Sequence, residues 1–156
     1  MPLEKQVWDV MSTSFKSVTP ETTLKEACTI LADLRGEKEM APGLVVSRAS
    51  GEYLGVLSVK DILRHLNFIY DQSLRERESW LDRLLDPHTA EGLLSVNDVM
   101  VRFDISVRPN QRIIEAIRLM LDEDLDLVPV WDSGRIIGVV HGDTILREIS
   151  RLMPAA

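Results

Sequence analysis

Ser58, Lys60, Asp61 and Arg64 follow one another closely, directly after the apolar run Gly55-Val56-Leu57. An apolar strand pattern gives way here to a helical one, so the hydroxyl and the carboxylate fall at a helix N-terminus. Unpaired N–H groups and the positive end of the helix dipole make that a suitable place for a phosphate. A carboxylate, in turn, accepts two vicinal sugar hydroxyls well. Lys60 and Arg64 would add positive charge toward a phosphate, and Gly55 allows a close backbone approach. The same residues also have a plainer reading. Ser-x-x-Asp is an N-cap with an acid at the third helical position, which stabilises any helix. The two readings are compatible.

The elements that would position these residues occur twice. Val7-Trp8-Asp9-Val10-Met11 recurs as Val96-Asn97-Asp98-Val99-Met100, and Val18-Thr19-Pro20 as Val107-Arg108-Pro109, both at a shift of 89. Gly55-Val56-Leu57 recurs as Gly138-Val139-Val140 at a shift of 83, so the first copy carries six more residues ahead of its last strand. Matching blocks in one order indicate a duplication. After each Val-x-Pro comes an amphipathic helix, with Leu24, Ala27, Cys28, Leu31 and Leu34 on one face of the first copy and Ile113, Ala116, Ile117 and Met120 in the second. Pro20 and Pro109 fit the first helical turn, with Thr19 as N-cap. Two short strands then flank a polar, Gly-containing turn, Ser47 to Gly51 or Asp132 to Gly134, and read as a hairpin. A second helix closes each unit. The expected fold class is α+β: two β-α-β-β-α units, each marginal alone, packed as a pseudo-two-fold pair with a cleft on each side of the junction.

The expected division is residues 1–67 for the first unit, 68–95 for a charged, partly helical connector and 96–156 for the second unit. The connector carries Leu74, Trp80, Leu81, Leu84 and Leu85, with a helix stop at Asp86-Pro87 and a turn at Gly92. It reads as a solvated link, or as an arm for a partner or a second copy anchored by Trp80.

Composition bounds the function classes. The chain has 156 residues, 18 Lys+Arg against 25 Asp+Glu and a formal net charge of -7. This acidic balance argues against nucleic acid and against an anionic membrane surface. No apolar run approaches the ~20 residues of a membrane span, and the N-terminus lacks the apolar core of a signal peptide, so a cytoplasmic location is expected. One Cys and three scattered His (His65, His88, His141) offer no disulfide and no metal site. No Ser/His/Asp or Cys/His set stands out, and no enzyme activity is expected.

At this point the residues resemble a known family. Two copies of V-x-D-V-M, V-x-P, an amphipathic helix, a hairpin and G-h-h-(S/T)-x-x-D look like a pair of cystathionine-β-synthase (CBS) domains, over about Val7 to Leu66 and Val96 to Leu152. The resemblance implies a compact regulatory module whose clefts bind adenosine-containing ligands such as AMP, ADP, ATP or S-adenosylmethionine. It implies that two modules associate into a homodimer and act on a client protein, here unknown. It implies no obligatory cofactor, with the adenosyl nucleotide as regulatory ligand, and the module is read as free-standing. By resemblance Asp61 holds the ribose and Ser58 the phosphate, while the backbone at Ser17, Val18 and Thr19, with Leu44 and Val45, lines the adenine slot.

The second copy departs from the motif. His141 stands where Ser or Thr is expected and Thr144 where the acid belongs, and Asp143 lies one position early, about 100° around a helix of unchanged register. Either that helix starts sooner, after Gly142, or the second site, with Val107 as its strand residue, has lost or altered its ligand preference. His141 is read as a phosphate contact or pH-sensitive group, or simply as an exposed turn residue. Three further features are read structurally: Cys28 as a buried thiol, the run Asp122, Glu123, Asp124 and Asp126 as a solvated loop, and Met11 and Met100 as core.

Overall fold

The same residue types at the same spacings produce the same elements in each copy. The computed structural model describes residues 4–38, 43–76, 79–86, 88–89, 94–102 and 105–155. After a 3-10 turn at Val7–Asp9 come β1 (Ser17–Val18), α1 (Leu24–Lys38), β2 (Gly43–Ser47), β3 (Tyr53–Ser58) and α2 (Val59–Glu76). The connector contributes α3 (Trp80–Leu85). The second copy then supplies α4 (Val96–Val99), β4 (Val101–Arg102), α5 (Ile113–Asp122), β5 (Leu127–Asp132), β6 (Arg135–His141) and α6 (Gly142–Leu152). This is the expected α+β pair, with one reduction: the strand matching β1 is a single parallel bridge, Val107 to Val130.

The two copies exchange their leading segments. The first sheet runs β1-β2-β3-β4, and its edge strand β4 belongs to the second copy, pairing Gly55 with Arg102 and Val56 with Val101. Reciprocally, Ser12 of the first copy bridges Val139 of the second. Hydrogen bonds repeat the exchange. Val7 N–H donates to the Gln111 carbonyl at 2.7 Å and Val96 N–H to the Thr22 carbonyl at 2.8 Å. The cores follow suit. Val96, Val99 and Met100 pack with Leu24, Ala27, Leu31 and Leu57 of the first copy, whereas Val7 and Val10 pack with Ile113, Ala116, Val128 and Val140 of the second. A third cluster of Val45, Val56, Leu127 and Val139 joins the two sheets. Each copy alone would therefore leave a hole in its own core, which is why the pair forms one unit. Met100 is buried as expected, and Met11 is half-buried against the second core.

The exchange also corrects the expected helix starts. Thr19 does not cap α1, nor do Pro20 and Pro109 open helices. The proline carbonyls accept from the other copy, Pro20 from Asn97 N–H at 3.0 Å and Pro109 from Trp8 N–H at 2.9 Å, and the helices begin later, at Leu24 and Ile113. Thr23 Oγ1 caps α1 by accepting from Glu26 N–H at 3.2 Å.

One further expectation changes. Cys28 is exposed, not buried. It sits about 80° around the helix from the centre of the stripe formed by Leu24, Ala27, Leu31 and Leu34, which places it at the edge of the buried face. In addition, α2 runs unbroken past Leu66 to Glu76, so the segment beginning at Phe68 starts inside a helix, its buried side continued by Ile69 and Ser73. Ser79 caps α3 and Asp86 ends it. Pro87, Gly92 and the Trp80 side chain lie outside the described residues.

Candidate functional site

The β3–α2 junction is built by strand register. Gly43 pairs with Ser58 at the end of the β2–β3 ladder, and α2 begins at the next residue. Ser58 and Asp61 then close a capping box. The Asp61 Oδ2 accepts from Ser58 N–H at 2.8 Å and from Ser58 Oγ at 2.9 Å, and Asp61 N–H approaches Ser58 Oγ at 3.3 Å. Arg64 donates to the other carboxylate oxygen at 3.0 Å. With its side chain only 11% exposed, Asp61 is the shielded member of the group, whereas Lys60 and Arg64 face solvent.

A residue of the second copy completes the cluster. Asp124, in the loop between α5 and β5, pairs with Lys60 Nζ at 3.2 Å and with Arg64 at 3.5 Å. Asp124 takes a left-handed conformation, φ 53°, which Asp tolerates better than most residues. The loop was expected to be merely solvated, and Asp124 is indeed exposed, yet it bridges the two copies. Sequence reasoning missed this role because the partners are at least 60 residues apart and no short motif links them.

The other expected site residues spread along the sheet. Ser17 lies opposite Val45, and Val18 opposite Val46, which in turn faces Gly55. Ser17 is exposed, Val18 buried and Thr19 half-buried, with Thr19 N–H donating to Thr22 Oγ1 at 3.2 Å. Leu44 and Val45 are at most 1% exposed, with Leu44 in the first core and Val45 in the cluster that joins the sheets.

The pseudo-equivalent β6–α6 junction keeps its helical register. α6 starts at Gly142 directly after His141, as α2 starts directly after Ser58. An earlier start does not rescue the displaced acid, and Asp143 remains one position from the place Asp61 occupies. His141 is half-buried at the N-cap, and its side chain makes no cap hydrogen bond. Val107 is 2% exposed and lies in the second core. Beside this junction runs a largely apolar groove of about 360 Å³ between α5 and α6, lined by Ile117, Met120, Leu125, Ile145 and Ile149, with Asp143 on its wall. At the hairpin end of the sheets, a wider cleft of about 490 Å³ lies between Tyr53, Arg108, Gln111 and Trp131. There the Arg108 guanidinium stands 5.3 Å from the Trp131 ring, and Tyr53 donates to the Ile105 carbonyl at 2.7 Å.

The duplicated β-α-β-β-α order and the two strand–helix junctions coincide with the segments matched by a family model. The model described as CBS domain covers residues 7–67 and again 96–151. The chain belongs to the CBS domain family. This CBS pair is 25% identical over 145 residues to the CBS domain-containing protein YhcV of Bacillus subtilis (strain 168), covering 92% of this chain and 86% of that protein. Among solved structures it is similar to CBSX2 in complex with AMP, at 25% identity and a TM-score of 0.65, covering 94% of this chain and 97% of that one. It is also similar to the cytosolic domain of the Mg2+ channel MgtE in complex with ATP, at 25% identity and a TM-score of 0.63, covering 92% of this chain and 48% of that one. Among the described residues of this CBS pair, no helix is long and apolar enough to cross a membrane.

Proposed function

We propose that this CBS pair is a regulatory module, without catalysis of its own, that binds an adenine nucleotide or another adenosyl ligand at the β3–α2 junction and signals to a partner protein. The observation that carries this reading is the convergence of Ser58, Lys60, Asp61 and Arg64 at the N-terminus of an 18-residue helix. The AMP complex of CBSX2 and the ATP complex of the MgtE domain, both 25% identical to this chain, support the ligand class. Asp61 takes the ribose hydroxyls and Ser58 a phosphate oxygen, with Lys60 and Arg64 as neutralising charges. The β6–α6 junction, without a hydroxyl and an acid three residues apart, does not take the same ligand in the same way. The working division remains 1–67, 68–95 and 96–156, in a protein of the cytoplasm.

Regulation requires the ligand to favour one conformation, since equal affinity for two states shifts neither. The test is thermal unfolding with AMP, ADP, ATP and S-adenosylmethionine, on the native sequence and on Asp61→Ala. Ligand at about 100 times Kd adds about 2.7 kcal/mol. An unchanged melting temperature with every adenosyl compound, or an undiminished response in Asp61→Ala, sinks the reading.

A second reading has its own observation. Leu63, Tyr70 and Leu74 are all exposed and lie within about 40° of one another around α2, while Leu146 and Met153 are exposed at and just beyond α6. Such apolar stripes suit association of two modules, and ligand-independent dimerisation is the alternative function. Sedimentation of the ligand-free protein, with and without AMP, separates the two: a tight dimer indifferent to AMP favours the alternative.

A further inference from the structure

Lys60 and Arg64 lie in the first turns of α2 beside the Ser58–Asp61 cap, and the structure gives both an anionic partner. Arg64 binds Asp61 at 3.0 Å and Asp124 at 3.5 Å, and Lys60 binds Asp124 at 3.2 Å. Two positive and two negative side chains leave the mouth of the junction formally neutral. Asp122, Glu123 and Asp126, all exposed and flanking Asp124, add further negative charge on the same loop. A ligand phosphate entering here meets no net attraction from these four groups, and it must take Lys60 and Arg64 from a carboxylate already in contact with them.

We infer that Asp124 is a specificity-determining residue, and that it tunes the β3–α2 junction toward adenosyl ligands of low charge, those with one phosphate or none, and against polyphosphates. The inference rests on the nucleotide reading above and narrows its ligand class. The physical reason is Coulombic. Each further phosphate adds negative charge within a few ångströms of Asp124, so the penalty from that carboxylate grows from adenosine to AMP to ATP. Because Asp124 is 71% exposed, solvent and salt screen the effect, and it amounts to a modest bias. Its backbone φ of 53° makes Asn the suitable replacement, since Asn keeps the left-handed conformation and removes only the charge.

Calorimetric titration of adenosine, AMP and ATP, without magnesium, into the full chain and into Asp124→Asn tests this. The native chain binds ATP no more tightly than AMP. In Asp124→Asn the ratio of ATP to AMP affinity rises about fivefold at low salt, adenosine affinity stays the same, and the gain shrinks at 0.5 M salt as screening increases. A ratio that does not move in Asp124→Asn, or native binding of ATP tenfold tighter than AMP, overturns the role of Asp124 while leaving the nucleotide site standing. Failure of all three compounds to bind either protein overturns the nucleotide reading itself, and this inference with it. Lys60→Gln serves as a second variant. It weakens AMP and ATP but not adenosine, and equal loss for all three contradicts the assignment.

Discussion

Ser58 and Asp61 hold each other across the first turn of α2, hydroxyl and backbone N–H both donating to one carboxylate oxygen at 2.9 and 2.8 Å. Ser95 and Asp98 make the same pair of contacts at α4, at 3.1 and 2.8 Å. Identical local chemistry thus serves a helix of 18 residues at the proposed site and one of four residues where no site is proposed.

That duplication separates capping from binding. Asp61→Ala and Asp98→Ala are each expected to lose about 1 kcal/mol of stability, the usual worth of a cap. Only Asp61→Ala should also lose the thermal response to AMP. Melting curves of both variants with and without AMP check this, and equal responses would assign Ser58–Asp61 to capping alone.

The copies meet closely at Gly43 and Leu127, where a Cβ on Gly43 would overlap the Leu127 side chain. Leu127 is 3% exposed in the cluster that joins the sheets, so it has little room to yield. Gly43→Ala should cost about 1–3 kcal/mol by overpacking. Leu127→Ala in the same chain should recover part of that loss, because contacting residues are not additive. Urea titrations of the two single variants and the double variant check it; strict additivity argues against the contact.

The exchanged leading segments make each core depend on the other copy. Val7 and Val96 are both fully buried, and truncating either to Ala should cost about 2 kcal/mol. More tellingly, a chain beginning after Met11 should lose cooperative unfolding of the second copy before the first. Hydrogen exchange resolved by copy checks it: protection lost first around α1, not α5, contradicts the reciprocal packing.

Cys28 is exposed at the edge of α1, yet its apolar surroundings desolvate the sulfur and push the thiol pKa up from its ordinary value. The thiolate is the nucleophile, and a raised pKa leaves less of it at a given pH. Disulfide-reagent labelling at pH 8 should therefore be slower in the folded chain than in urea, and should accelerate as pH rises further. Faster labelling of the folded protein would show an activated thiol instead.

Much of this molecule is written in local pattern. The duplication, the β-α-β-β-α order, the hairpins and the Ser58–Asp61 spacing are properties of neighbours in the chain, set by apolar periodicity, turn residues and capping chemistry. The displaced acid of the second copy is of the same kind, since a helix that starts directly after His141 cannot bring Asp143 to the matching face. What only the tertiary structure decided involves residues far apart. Pairing of Val7 with Gln111 and of Val96 with Thr22 moved both helix starts past their prolines. The position of Cys28 at the edge of a buried stripe depended on how wide a face the sheet covers. The meeting of Asp124 with Lys60 and Arg64 carries no local signature at all, because charged residues on a solvated loop acquire partners only when packing brings another element alongside.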